Sequence, residues 1–238
     1  MAQISRKELK SDEFVSGMDA AYEFFLQHRQ RIITVAIAVV VIAGAVYSYI
    51  AWQNSRNRAA SALLTAALNT LHAPLQTGPN ATPPAPGVPT FANAADRASA
   101  AGQQLQAVIQ GYPSTGAGQM ARLYLGLAQQ DENNPQAAAT LQAAATSGDK
   151  VVATAAQHAL ANYDIQHGNL AAAHALLLKL TQQNSPTLPR AVALMELADL
   201  DRTYNPKEAV QYYQQLQQDY PSTQTAQEAQ QQLAALKH

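Results

Sequence analysis

The chain of 238 residues carries 15 Lys/Arg against 16 Asp/Glu, a formal net charge of -1, and no cysteine. The missing cysteine excludes disulfides, thiolate catalysis, Cys-ligated zinc and a lipid-modified N-terminal Cys, while the ten Lys/Arg and eleven Asp/Glu beyond residue 52 offer no basic face for a phosphate backbone. No nucleic-acid partner is expected, and abundant Ala and Gln beside only 11 Gly predict an all-α protein.

Residues 1–31 form a charged leader. Within "SDEFVSGMDAAYEFFLQHRQR", Phe14, Met18, Ala21, Tyr22 and Phe25 recur at three- and four-residue spacing, the pattern of an amphipathic helix, with Ser11 and Asp12 suited to cap its start. Such a helix either orients the segment after it or docks on the inner membrane face or a cytoplasmic partner. Residues 32–52 then begin with the uncharged run "IITVAIAVVVIAGAVYSYIA", long enough for a helix to cross about 30 Å of hydrocarbon. Its β-branched residues would suit a strand, but a lone strand leaves its backbone unpaired in lipid, so a transmembrane helix is expected. A cleaved signal peptide fits poorly, because "AGA" at 43–45 lies inside the run and the leader carries both charge signs. Arg6, Lys7, Lys10, Arg29 and Arg31 precede the run, whereas only Arg56 and Arg58 follow closely. That bias puts the N-terminus in the cytoplasm and residues 53–238 outside.

Residues 53–73 continue as a juxtamembrane helix with Leu63, Leu64, Leu68 and Leu71 available for packing. The segment "PLQTGPNATPPAPGVPT", residues 74–90, holds six of the 12 prolines and reads as a loop or extended linker within residues 74–92. It would join the helices on either side as an enlarged hairpin.

The repeat domain is expected over residues 93–238. "GYPST" at 111–115 returns as "DYPST" at 219–223, 108 residues later, and Ser147-Gly148-Asp149 and Ser185-Pro186 divide that distance into steps of 36, 37 and 35. Between these breaks lie Asn133-Asn134-Pro135, Gly168-Asn169 and Asn205-Pro206, with Asn134, Asn169 and Asn205 spaced 35 and 36 apart. Two interleaved breaker series mean helix, turn, helix, turn, the signature of a tetratricopeptide-like α-solenoid of helical hairpins. Ala101, Leu105 and Val108 have counterparts Ala209, Tyr213 and Leu216 at the same offset of 108, a small residue admitting close helix approach beside large ones filling the groove. Leu125-Gly126 and Leu160-Ala161 resemble the Leu-Gly/Ala pair of a tetratricopeptide first helix, and Ala138 and Ala173 take the small site of the second. The third unit departs, with Glu196-Leu197-Ala198 one residue out of frame. In the recurring loop Tyr closes a helix, Pro forbids its continuation, and Ser-Thr can cap the next.

No chemistry converges. His158, His167 and His174 lack the i, i+4 pairing of helical zinc ligands, so neither metal nor cofactor is expected. Asp199 and Asp201 point different ways on a helix, no phosphate loop or dinucleotide fingerprint occurs, and the chain reads as a binding module, not an enzyme. First helices line the concave face of such a solenoid. The expected peptide- or partner-binding groove comprises Met120, Leu123, Leu127, His158, Asn162, Ile165, Leu194 and Asp201, apolar and amide-rich, suited to an exposed helix or unfolded segment of another protein. Asn162 alone matches the asparagine with which some tetratricopeptide proteins clamp a peptide C-terminus; the accompanying basic residues are missing.

A leader containing "RKELKSDEF", one anchor and a degenerate tetratricopeptide ectodomain together resemble bacterial membrane-anchored proteins of the YfgM type, ancillary to the SecYEG translocon. The resemblance implies a single-pass inner-membrane protein whose C-terminal domain faces the periplasm and meets the translocon, periplasmic chaperones or unfolded clients. "YPST" before an Ala-rich helix is similar to envelope-assembly and cell-division repeat proteins, an alternative weakened by the absence of a lipidation Cys. A homo-oligomeric scaffold closed by the Gln-rich last helix, residues 223–237, is a further alternative.

Overall fold

The computed structural model describes the backbone of residues 6–76, 89–183 and 185–236, with side chains described from residue 28 onward. The centre of the proline-rich segment and the side-chain pattern of the leader lie outside the described residues. Among those described there are nine α-helices and no strand beyond a single bridge pair, so the chain is all-α.

In chain order the helices are α1 (Arg6–Leu71), α2 (Ala94–Gly111), α3 (Gly116–Asp131), α4 (Ala137–Ala145), α5 (Lys150–Gln166), α6 (Leu170–Thr181), α7 (Arg190–Tyr204), α8 (Pro206–Asp219) and α9 (Gln224–Ala235). The chain divides into two compact units, residues 1–55 and 56–238. In the first, helix begins at Arg6, so Ser11 and Asp12 lie within it and not at its start. The reason is local: Arg6, Lys7, Glu8 and Leu9 are strong helix formers, and the helix extends through them. Ile33, Val35, Ile37, Val39, Val40 and Ile42 are all at least half exposed. A helix apolar on every side and exposed along this stretch has the surface of a membrane span.

The second unit is a run of antiparallel hairpins in which each helix packs on the next from α2 to α9. Residues 56–71 of α1 supply the first packing surface: Ala67 and Leu64 join Leu105, Val108, Ala121 and Leu125 in one apolar cluster. Arg56 donates to the Gly111 carbonyl at 2.9 Å and lies over the Tyr112 ring, a cation placed against the negative end of α2. The base of the proline-rich segment is closed by the Gln76 amide donating to Phe91 O at 2.8 Å and by the Gln76 side chain donating to Thr90 Oγ1.

The two related loops adopt one geometry. Tyr112 and Tyr220 end α2 and α8 with φ/ψ of -138/49 and -134/46. Thr115 Oγ1 accepts from Gly118 N at 3.1 Å and donates to Tyr112 O at 2.9 Å, while Thr223 Oγ1 accepts from Ala226 N at 3.2 Å and donates to Tyr220 O at 2.8 Å. Each threonine is thus an N-cap satisfying one of the first free amides of the next helix.

The intervening turns agree for two units and diverge at the third. Asn133 at φ 53 and Gly168 at φ 77 each sit in the left-handed region just past a helix. In both, the following amide reaches back five residues, Asn134 to Gln129 O and Asn169 to Asp164 O, each at 2.8 Å, which is a Schellman ending. At the third turn Asn205 has φ -146 and Pro206 begins α8 directly, so the departure read in the sequence is a different helix ending. Of the small sites, Ala173 is fully buried, but in the preceding unit Ala137 is buried and Ala138 only partly so. The shift by one residue follows from the turn chemistry: Asn134 Oδ1 accepts from Gln136 N at 2.9 Å, whereas the Asn169 side chain turns back to Asp164.

Candidate protein-binding groove

Alternate helices bring the predicted surface together. Helix α3 packs along α5, and their exposed edges, with the loop before α7, enclose a groove of about 560 Å3. Leu123, Leu127, His158, Asn162 and Ile165 line it, joined by Gln130, Asp131, Ala159, Thr187 and Leu188. The spacing explains the arrangement, because Leu123 and Leu127 are four residues apart on α3 and His158, Asn162 and Ile165 follow at four and three on α5.

The other three predicted residues lie elsewhere. Met120 is partly buried beside the cluster that includes Leu123, Leu141, Val152 and Ala156. Leu194 is 2% exposed, inside the core shared by α7, α8 and α9. Asp201 is 0% exposed and faces His174 and Glu208. Thr187 and Leu188 escaped sequence reasoning because they belong to a loop. Their signal was a leucine held between Pro186 and Pro189, and Leu188 is 7% exposed.

His158 fixes the polar chemistry of the groove. Its Nε2 is 2.7 Å from Glu196 Oε2 and 3.4 Å from Asn162 Nδ2. A nitrogen that donates its proton to the carboxylate cannot also accept from the amide. The shorter, charge-assisted contact takes the proton, leaving the Asn162 amide for a ligand. Gln130 donates across to Gln166 at 3.3 Å, so amides tie α3 to α5 at the groove's end. Asp131, His158 and the Thr187 hydroxyl also line this groove.

Lower in the domain, Tyr213 is fully buried and donates to Asp199. Burial first, and then the Asp199 hydrogen bond, push its phenol well above the ordinary tyrosine range. Burial raises the Asp201 carboxyl above its usual value, with His174 opposing that shift and Glu208 adding to it.

The tetratricopeptide repeat-like domain family matches residues 22–187, well over half of the chain. The chain belongs to that family. The match ends in the loop before α7. No curated protein and no solved structure matches the chain.

Proposed function

We propose that this tetratricopeptide repeat-like protein is a single-pass membrane-anchored binding module that holds a segment of another polypeptide in the groove between α3, α5 and the loop before α7. The carrying observation is that groove itself: Leu123, Leu127 and Ile165 supply apolar contact, while Asn162 presents an amide freed by the His158–Glu196 pair. Domains of this family are typically scaffolds without catalysis. The unburied apolar stretch of α1, one helix long enough to cross a bilayer, supports an anchor at residues 32–52, and the charge bias around it supports a cytoplasmic N-terminus with the repeats in the periplasm of a bacterial inner membrane. On the resemblance to YfgM-type proteins, the partners are the translocon, periplasmic chaperones or unfolded clients.

A photo-activatable residue at Asn162 of the full chain, in intact membranes, tests this. Adducts with membrane-embedded or periplasmic proteins are expected, exceeding those from the same probe at exposed Gln142 on α4. Equal labelling from both positions, or labelling of cytosolic proteins alone, would overturn the reading. Light scattering on the purified chain separates it from a homo-oligomeric envelope scaffold: a monomer leaves the groove open, a closed oligomer covers it.

A further inference from the structure

We propose that His174, Asp201 and Glu208 form a zinc site joining α6, α7 and α8. His174 Nε2 is 3.3 Å from Asp201 Oδ2 and 3.6 Å from Glu208 Oε2, and the three ligand atoms lie within 4.8 Å of one another. Zinc with bonds of 2.0–2.2 Å in tetrahedral geometry separates its ligands by about 3.3–3.6 Å. The two separations from His174, 3.3 and 3.6 Å, match edges of such a tetrahedron, and the third lies within 4.8 Å.

A second observation is independent of that spacing. Asp201 is 0% exposed, yet neither of its carboxylate oxygens has a hydrogen-bond partner, and His174 Nε2 also lacks one. His174 stands at ion-pairing distance, 3.3 Å from Oδ2, and Oδ1 has no hydrogen-bond partner. A buried carboxylate is normally paired, hydrogen-bonded or metal-bound, since leaving it otherwise costs several kcal/mol or forces it to take up a proton. Here a carboxylate oxygen of Asp201 lies within 4.8 Å of two further ligand atoms.

The surroundings suit a metal. Tyr212 donates to Glu208 Oε2 at 3.4 Å, and the Tyr204 ring lies 5.6 Å from the His174 ring; groups behind the ligands hold such side chains in orientation. Two carboxylates and a neutral imidazole carry charge -2, which a divalent cation cancels. An imidazole in the set favours zinc over magnesium or calcium. Three protein ligands would leave a fourth position for water or a partner's side chain, and the Glu208 side chain is 41% exposed. Histidine spacing along the sequence does not reach this cluster, whose members come from three helices, two of them supplying carboxylates.

The untagged full chain in detergent, stripped with chelator and titrated with zinc chloride in a calorimeter, tests the site. One zinc per chain is expected, with a higher unfolding temperature and no comparable response to magnesium. Asp201→Asn and Glu208→Gln should each weaken zinc affinity by at least about tenfold, while His167→Gln, outside the cluster, should not. Glu208 is partly exposed, so its variant keeps the test open should Asp201→Asn unfold. Absence of zinc binding by the wild-type chain, or unchanged affinity in a folded Glu208→Gln variant, would overturn the proposal.

Discussion

His158 Nε2 approaches Glu196 Oε2 to 2.7 Å, linking α5 to α7 along the groove wall. The two side chains are 28% and 32% exposed, so solvent screens the pair and its contribution to stability is small. Glu196→Gln should shift folding stability by less than about 1 kcal/mol, read as a urea midpoint. Capture of a partner from a probe at Thr187, which lines the same groove and leaves Asn162 in place, should fall by more than that shift explains. Without the carboxylate, His158 Nε2 is free to accept from the Asn162 amide 3.4 Å away, and that amide is withdrawn from ligand. Unchanged capture would show that Asn162 does not need this release.

The two left-handed turns predict opposite responses. Gly168 at φ 77 tolerates that backbone because it has no Cβ, and nothing lies within 4 Å of where one would stand. Gly168→Ala should therefore cost about 1 kcal/mol through backbone strain alone. Asn133 at φ 53 already bears part of that strain, so Asn133→Gly should be neutral or slightly stabilising. Thermal unfolding followed by helical circular dichroism distinguishes them.

Gly126 shows the opposite need. A Cβ there would stand 2.7 Å from Leu141 Cδ2, 2.8 Å from Leu141 Cγ and 3.2 Å from Leu141 N. Alanine gains about 1 kcal/mol of helix propensity, but forcing α3 from α4 costs about 1–3 kcal/mol. Gly126→Ala should be net destabilising, and its cost should shrink in a Leu141→Ala background, although Leu141→Ala is itself destabilising because Leu141 is fully buried. A double-mutant cycle on unfolding midpoints measures that coupling.

Tyr213 makes the fold sensitive to alkali. Its phenol is raised in the folded state by burial and by donating to Asp199. Above about pH 10 the unfolded chain's tyrosine ionises while the folded one stays protonated. The unfolded state then binds fewer protons, so stability falls as pH rises, by up to about 1.4 kcal/mol per unit from this group. Tyr213→Phe should flatten that decline while costing roughly 1–3 kcal/mol at neutral pH through the lost hydrogen bond to a carboxylate. Urea midpoints measured from neutral to alkaline pH in both proteins decide it.

The features that the sequence determined on its own were periodic. Breakers such as Pro113, Gly168 and Pro221 act within a few residues of themselves, and small–large spacing such as Ala209, Tyr213 and Leu216 imposes one buried face, so the helix–turn alternation of the repeats, the matching Thr115 and Thr223 caps and the all-α class were legible. The tertiary structure alone decided which of those faces met. Leu194, read as groove-lining, turned into core because α8 and α9 cover it. Leu188 entered the groove from a loop with no period to reveal it. Asp201 came to face His174 and Glu208 through helix packing that spacing along one helix does not encode. Local backbone preference is written residue by residue, whereas the convergence of side chains from three helices depends on crossing angles set by every contact in the core.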